Sequence, residues 1–111
     1  MNHPTREPDA EVLFELSSTT WERAIKHVLS GYRPIYDVLP DYWTSVHHEF
    51  VEVESIATGQ RARANVWFIT PEAYPHTLWL GRTLNVAEGS RKVGTATVLK
   101  VFNPLLLKDA G

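Results

Sequence analysis

The stretch GRTLNVAEGSRKVGTATVLKVF, from Gly81 to Phe102, decides the expected fold. Leu84 and Val86 alternate with more polar neighbours, and residues 93–102 are rich in Val, Thr and Leu. Both segments have the composition of β-strands, and Glu88-Gly89-Ser90 between them has turn chemistry. The stretch therefore predicts a β-hairpin.

Two glycines, Gly89 and Gly94, enclose the cations Arg91 and Lys92 in this turn. Their spacing superficially resembles a phosphate-binding loop, but that motif needs a Lys after its second Gly and a helix after the loop. Here Thr95 follows Gly94 directly, and the next residues are strand-like. We expect a structural turn and a tightly packed strand start, and no nucleotide binding.

Length and composition indicate one ordinary globular domain. The chain has 111 residues, of which 43% are hydrophobic and 22% charged; this is the composition of a soluble protein with a single core. No apolar run reaches membrane-spanning length, and the first residues lack the apolar core of a secretory signal. The absence of cysteine excludes disulfides and thiol chemistry. We expect a cytoplasmic protein with no cofactor and no membrane association.

The formal net charge of −2 argues against a protein that binds nucleic acid by bulk electrostatics, because neutralising phosphates requires a surplus of Lys and Arg. A local basic patch stays open as an alternative. Four Trp, four Tyr and four Phe supply many large side chains, which serve barrel cores and binding surfaces alike.

The rest of the chain reads as further strands. We expect a flexible arm at 1–8, a β domain at 9–103 and a tail at 104–111, and we leave open whether the leucines at 105–107 belong to the core or to an interface. Alternating hydrophobicity and turn residues predict strands at 11–16, 35–38, 46–54 and 61–69, besides the two strands of the hairpin. About six strands indicate an all-β barrel or sandwich.

Three segments are expected to interrupt the strands. Trp21 to Leu29 has apolar residues at the spacing of a short amphipathic helix, although a long loop is an alternative. Asp41 to Thr44 is expected to be a loop. Thr70 to Thr77 contains two prolines and predicts a rigid loop that presents Tyr74 and His76.

Four stretches follow one another in the order DAEVLFEL, SGYRPIYDV, TGQRARANVWFITP and GRTLNVAEGSRKVGTATVLKV. This succession resembles the third, C-terminal domain of translation elongation factor Tu over roughly residues 9–102. The matching positions are the GYRP element at 31–34, Gly59, Pro71 and the EGxRxVG turn at 88–94. The resemblance implies a six-stranded antiparallel Greek-key β-barrel.

In that family the barrel packs on a GTPase domain, contacts the T stem of aminoacyl-tRNA and meets the nucleotide-exchange factor. The sequence has no counterpart of the GTPase phosphate loop, so the resemblance implies no nucleotide hydrolysis. By resemblance, Glu88 and Gly89 fall where the family's turn approaches the tRNA backbone, and Arg33 lies in the GYRP element.

The chain also departs from the family pattern at three places. The family's basic HTPFF stretch is replaced by Trp21 to Leu29, its polar residue after GYRP is Ile35, and the second glycine of its EGGR turn is Ser90. Because the basic stretch is missing, a protein partner is favoured over tRNA.

The charged candidates each have two interpretations. Arg33 either contacts a partner or forms an ion pair with Asp37 or Glu88. If the strands pair as the resemblance implies, five cations merge into one basic surface, and the alternative is a solvated charged face. These cations are Arg61, Arg63, Arg82, Arg91 and Lys92.

The histidines and loop aromatics are weighed in the same way. His47 and His48 are neighbours in a strand and point to opposite faces, so we expect surface histidines and no metal site. Aromatic residues in expected loops either mark a partner surface or close the barrel ends. They are Tyr42, Trp43, Tyr74 and Trp79.

No catalytic triad spacing or HExxH pattern occurs, so we expect a protein that is not an enzyme. The leading hypothesis is a protein-binding barrel linked to translation, acting as a decoy, a regulator or an immunity protein. The alternative is a tRNA- or RNA-binding accessory protein of translation. The residues expected to contact a protein or RNA are Tyr32, Arg33, Tyr42, Trp43, Glu88, Gly89, Arg91 and Lys92.

Overall fold

The computed structural model describes residues 6–17 and 27–108 and contains eight β-strands in those ranges. The strands are β1 (Ala10–Leu16), β2 (His27–Leu29), β3 (Ile35–Leu39), β4 (Tyr42–Phe50), β5 (Ser55–Ala57), β6 (Arg61–Phe68), β7 (Thr83–Glu88) and β8 (Arg91–Val101). A 3₁₀ turn at Pro71–Ala73 precedes β7.

Six of the strands form a closed antiparallel barrel in the order β1-β6-β4-β3-β7-β8, and β8 pairs with β1 to close it. Within the barrel, β3, β4 and β6 follow one another along the chain and pair in that order, and the earlier strand β1 pairs with β6. This is the Greek-key arrangement. The expected six-stranded antiparallel barrel is confirmed.

The hairpin expected between Gly81 and Phe102 is formed by β7 and β8. Leu84 pairs with Ala96 and Glu88 with Arg91, so Gly89 and Ser90 make the turn. Gly89 has a φ of 61°, a left-handed conformation that residues with a β-carbon rarely adopt. The turn expected at Glu88-Gly89-Ser90 therefore depends on the left-handed backbone conformation of Gly89.

Gly94 serves a different purpose from Gly89. It lies in β8 opposite Leu16 of β1, where the two backbones approach closely. A β-carbon at this position would collide with the backbone carbonyl of Glu15. The second glycine thus permits the contact between β1 and β8 that closes the barrel.

The expected loop at Asp41–Thr44 is wrong, because β4 begins at Tyr42. Leu39 pairs with Tyr42 across a tight turn that uses only Pro40 and Asp41. Pairing can resume at once because those two residues suffice for a hairpin connection. Tyr42 also packs against Tyr74, with ring centroids 5.6 Å apart.

The strand expected at 46–54 ends earlier, at Phe50. The backbone N–H of Val51 still donates to the carbonyl of Arg63, at 3.0 Å. Beyond this bond the chain bends away, and both Val51 and Val53 are exposed. The alternation of Val and Glu in this segment therefore does not mark a half-buried strand.

The helix expected at Trp21–Leu29 is wrong for its last three residues. His27–Leu29 is strand β2, which pairs with β5 in a separate two-stranded sheet. Val28 and Ile56 are opposite each other and both are buried. Residues 21–26 of that prediction lie outside the described part of the chain.

Alternate residues of the barrel strands face inward and form the core. Along β1, Val12, Phe14 and Leu16 are completely buried, as the period of two predicts. The Phe14 ring lies 5.8 Å from Tyr32 and 6.3 Å from Phe50. Aromatic rings from three parts of the chain thus fill one end of the core.

The expectation of surface histidines is wrong, because His48 is completely buried and His47 nearly so. The Nδ1 atom of His48 lies 3.1 Å from the carbonyl oxygen of Val46, so it carries the hydrogen. Its Nε2 atom then accepts a 2.6 Å hydrogen bond from the hydroxyl of Tyr36. Burial lowers the pKa of His48 to about 4 and raises that of Tyr36.

The segment at 70–77 is compact, and it presents only one of its two expected side chains. Tyr74 is buried, and its hydroxyl lies 2.8 Å from Oγ1 of Thr44 inside the barrel end. His76 is exposed, as expected. The prediction that the loop presents Tyr74 is therefore wrong; this ring closes the barrel.

Residues after β8 fold back onto the barrel. Leu106 is completely buried, whereas Leu105 and Leu107 are exposed. The carbonyl of Leu106 accepts from the N–H of Leu78, and Leu78 and Leu107 form a parallel bridge. One leucine of the three thus belongs to the core, and its two neighbours lie on the surface.

Candidate interaction surfaces at the two ends of the barrel

The antiparallel strands give the barrel two distinct ends. We call the end with the β7–β8 turn the turn end. It also carries the starts of β3 and β6, the ends of β1 and β4, and the small β2–β5 sheet. We call the opposite end the apolar end. It carries the β3–β4 turn, residues 69–82 and the C-terminal segment 102–108.

Exposed hydrophobic side chains are concentrated at the apolar end. In the described part of the chain, thirteen large hydrophobic side chains are exposed, and ten of them lie there. The ten are Leu39, Tyr42, Trp43, Ile69, Trp79, Leu80, Leu99, Phe102, Leu105 and Leu107. The remaining three, Leu29, Val51 and Val53, border the β2–β5 sheet.

From the apolar end, the apolar surface extends along the outer face of β3, β4 and the residue after β6. Ser45 pairs with Ile35, and its carbonyl accepts from the N–H of Ile69, at 3.2 Å. These three side chains therefore form a row across the strands. Trp43, two residues before Ser45, projects from the same face. Ile69 is 65% exposed and Trp43 43% exposed, so the row is open to a partner.

A second part surrounds Trp79, which we call the Trp79 site together with Leu80, Leu107 and their flanking cations. The guanidinium carbon of Arg82 lies 4.9 Å from the centroid of the Trp79 ring. The Nζ atom of Lys108 lies 5.0 Å from that centroid. Both cations are within the range of attraction to the aromatic ring.

Tyr32, Arg33, Glu88, Gly89, Arg91 and Lys92, six of the eight sequence-predicted contact residues, lie together at the turn end. The hydroxyl of half-buried Tyr32 donates to Oε2 of Glu88, at 2.6 Å. Burial, and secondly this bond, raises the pKa of Tyr32. The other two predicted residues, Tyr42 and Trp43, lie at the apolar end, so the structure divides the predicted site into two.

Arg33 does not form the expected ion pair with Asp37 or Glu88 among the described residues. Its Nε atom donates to Nδ1 of His47, at 3.3 Å. The carboxylate of Asp37 instead accepts from the backbone and side chain of Asn85. The guanidinium of Arg33 stays exposed at the turn end.

A single surface of all five cations, one of the two interpretations of these residues, is not formed. Arg63 bonds Glu11 and Glu52, both at 2.9 Å, and these acids raise its pKa. Arg82 lies at the opposite end, where it donates to the carbonyls of Thr77 and Val38, and burial lowers its pKa. Strand pairing therefore places Arg82 apart from the other four predicted cations, and acids engage Arg63 among those four.

The turn end is mixed in charge. Among residues 6–17 and 27–108, five cations lie there, namely Arg33, Arg61, Arg63, Arg91 and Lys92. The same ranges place five acids there as well, namely Glu15, Glu49, Glu52, Glu54 and Glu88. An equal number of each sign gives little net attraction for a phosphate backbone.

His47 faces outward and is covered by its neighbours. Its Nε2 atom lies 2.6 Å from Oε2 of Glu49, and its ring packs edge-on against Trp67, with centroids 5.5 Å apart. Within residues 6–17 and 27–108, no group of three or more potential ligands is arranged to hold a metal ion. The paired histidines of the sequence thus have separate structural partners.

Sequence reasoning missed half of the exposed hydrophobic residues of the apolar end. Leu39, Ile69, Leu80 and Leu99 were not singled out, since isolated apolar residues near turns look the same whether they are buried or exposed. Tyr42, Trp43 and Trp79 carried a signal as aromatic residues in expected loops, and the leucines at 105–107 were left open between core and interface.

Comparisons with known proteins assign the chain to no family. The chain matches no protein-family model, and no curated protein matches it. In the described ranges, no helix is both long enough and apolar enough to span a bilayer.

Proposed function

We propose that this protein is a non-catalytic β-barrel module that binds another protein through its apolar end. The concentration of ten of the thirteen exposed large hydrophobic side chains at that end carries the proposal. Scattered apolar residues are normal on protein surfaces, whereas a contiguous group rimmed by polar residues marks an interaction site. Trp and Tyr, which are enriched at the energetic centres of interfaces, contribute three of the ten side chains.

We further propose that the chain is related to the third domain of elongation factor Tu and acts in connection with translation. The GYRP and EGxRxVG elements in register and the six-stranded antiparallel barrel support this relationship. A stand-alone barrel of that kind is suited to act as a decoy, a regulator or an immunity protein, because it offers a binding surface without a GTPase site. A fold alone does not define a function, so the binding experiment below decides.

A second candidate function is binding of tRNA or another RNA at the turn end. The observation that favours it is the grouping of Arg33, Arg91 and Lys92 with Glu88 and Gly89 at that end. The five acids at the same end disfavour it, because they repel phosphates. We therefore rank protein binding first.

The test is a pull-down from a lysate of the source cells with the full chain as bait, with and without ribonuclease. One variant carries Ile69→Ser and Leu80→Ser at the apolar end. The matched control carries Leu29→Ser and Val53→Ser at the turn end, where the side chains are similarly exposed. A third variant replaces Arg33, Arg91 and Lys92 by Ala.

We expect one protein to be captured by wild type, by the turn-end control and by the cation variant, irrespective of ribonuclease, and to be lost from the apolar-end variant. Capture that survives the apolar-end substitutions would contradict protein binding at this end. Loss of the partner after ribonuclease and in the cation variant would support RNA binding instead. Circular dichroism of each variant establishes that the barrel is folded.

A further inference from the structure

Trp79 is the residue of the apolar end around which both leucines and cations are grouped. It is 42% exposed; Leu80 follows it in the chain, Leu107 forms a backbone bridge with Leu78 before it, and these leucines are exposed by 64% and 42%. Arg82 and Lys108 hold their charges about 5 Å from the ring centroid. An aromatic ring, leucines and two cations thus share one small area of surface.

The two cations differ in what holds them. Arg82 is anchored by the carbonyls of Thr77 and Val38, and the charge of Asp37 acts on it. That carboxylate is itself engaged by Asn85. Lys108 has no ion-pair partner within residues 6–17 and 27–108. The described surface around Trp79 is therefore positive as well as apolar.

A strained backbone position, His76, holds the C-terminal segment that carries Leu107 and Lys108. His76 has a φ of 62° and is the only non-glycine residue with positive φ in the described part of the chain. Its N–H donates to the carbonyl of Leu105, and its Nδ1 atom lies 2.9 Å from the carbonyl oxygen of Leu107. These bonds hold the C-terminal segment beside Trp79. Such strain is retained where the surrounding structure requires that conformation, commonly at functional sites.

We propose that the Trp79 site binds an acidic amphipathic segment of the protein partner, one whose apolar side chains contact Trp79, Leu80 and Leu107 while its carboxylates meet Lys108 and Arg82. The inference rests on the proposed function and adds the chemistry of the partner. Charge complementarity selects the sign of that segment, because a basic segment would bring like charges together at both cations. The leucines select an apolar contact surface, because their burial supplies the free energy of association.

The same residues fit a nucleic acid less well. Stacking of a base requires an open face of the aromatic ring. Both cations lie about 5 Å from the centroid of the Trp79 ring, so a stacking base would compete with them for the ring. Leu80 and Leu107 offer a base no polar partner. An acidic peptide, in contrast, uses the cations where they are.

The experiment follows the indole N–H signals of the ¹⁵N-labelled full chain by NMR during titration with short synthetic peptides. The probe peptide is composed of Leu, Phe, Glu and Ser. A second peptide carries Gln in place of each Glu, and a third carries Lys. The chain has four Trp residues, and the Trp79→Phe variant identifies the signal of Trp79. A uridine oligonucleotide serves as the RNA probe.

We expect the Glu peptide to shift the Trp79 signal, and the Gln and Lys peptides to bind about tenfold more weakly or not at all. The Lys108→Glu variant is expected to lose the Glu peptide and to gain the Lys peptide. Lys92→Glu, the same change at the turn end, is expected to leave the titration unchanged. Salt is expected to weaken the Glu peptide more than the Gln peptide.

The inference is overturned if the Trp79 signal does not move at millimolar Glu peptide, if Lys108→Glu binds it as wild type does, or if the oligonucleotide binds in its place. The pull-down with Lys108→Glu separates this failure from that of the proposed function. A partner that is lost from the Ile69→Ser, Leu80→Ser variant but retained by Lys108→Glu leaves protein binding intact and removes the acidic segment. Retention by both variants removes both proposals.

Discussion

At several positions in this protein, the residue type is explained by a close contact with a residue that is distant in sequence. Gly94 in β8 faces the backbone of Glu15 in β1, and His48 in β4 faces Tyr36 in β3. In each case the residue type is explained by one neighbour. A glycine is needed where two backbones nearly touch, and a buried imidazole is tolerated where both nitrogens are paired.

Replacing Gly94 by Ala is expected to lower the free energy of unfolding by about 3 kcal/mol, the upper range for overpacking, because the rigid backbone of Glu15 cannot yield as a side chain does. Gly89→Ala is the matched control. It has open space around it but a positive φ, so we expect a loss of only about 1 kcal/mol. Urea unfolding followed by circular dichroism measures both. Equal losses would show that β1 and β8 can separate at Gly94.

Acidification is expected to weaken the fold through His48. Its pKa is about 4 in the folded protein, whereas an unfolded chain has a His pKa near 6.5. As the pH falls below about 6.5, the unfolded state binds a proton that the folded state refuses, so stability decreases until the folded pKa is reached. The loss from this residue is about 3 kcal/mol between about pH 7 and pH 4.

The measurement is the free energy of unfolding as a function of pH, for wild type and for His48→Gln. The variant lacks the imidazole, so its curve is expected to be flatter over this range, whatever its absolute stability. Retention of the full slope in the variant would assign the pH dependence to other groups.

Among the larger elements, the C-terminal segment shows how packing divides a uniform sequence. Leu105, Leu106 and Leu107 are identical in type, yet only Leu106 is buried. Bonds from His76 and Leu78 to this segment set its rotation and therefore which leucine points inward. The sequence left open whether the leucines at 105–107 belong to the core or to an interface. In the structure, Leu106 lies in the core and its two neighbours lie on the surface.

Leu106→Ala is expected to cost about 3 kcal/mol, since it removes a fully buried side chain and leaves a cavity. Leu105→Ala, one residue earlier, is expected to change stability by less than about 0.5 kcal/mol, because the side chain is on the surface. Thermal and urea unfolding of the two variants gives the comparison. A large loss for Leu105→Ala would indicate that the segment packs with a different rotation.

Across the barrel as a body, exposed large hydrophobic side chains are concentrated at one end. Each strand connects the two ends, so a side chain's position along its strand decides which surface it joins. In the described part of the chain, the turn end carries equal numbers of cations and acids, and the apolar end carries Trp79, Ile69, Leu80 and their neighbours. A partner that buries apolar area is therefore favoured at one end only.

The Ile69→Ser, Leu80→Ser variant is expected to elute earlier than wild type from a hydrophobic-interaction column, because it removes two of the most exposed side chains. The Leu29→Ser, Val53→Ser control is expected to elute closer to wild type, since the turn end has few apolar neighbours to act with them. We expect each surface substitution to change stability by less than about 0.5 kcal/mol. Equal shifts of the two variants would contradict the segregation of the surfaces.

The sequence alone determined the all-β class, the β7–β8 hairpin and the inward face of β1, because these depend on local signals. Hydrophobic alternation reports which side of a strand is buried, and Gly89 reports a turn. Local signals gave a wrong prediction where one sequence pattern fits both a helix and a strand. The spacing of Val28 and Leu29 suits a helix face, yet β5 supplies a pairing partner for these residues.

Only the tertiary structure decided which residues lie together at the two ends. Arg82 and Arg91 are close in sequence but lie at opposite ends, while Tyr32 and Glu88 are distant in sequence and share a hydrogen bond. His47 and His48 are adjacent, yet one contacts Trp67 outside the barrel and the other Tyr36 inside. Strand order and closure set these neighbours, and they arise from contacts across the whole chain that no local pattern encodes.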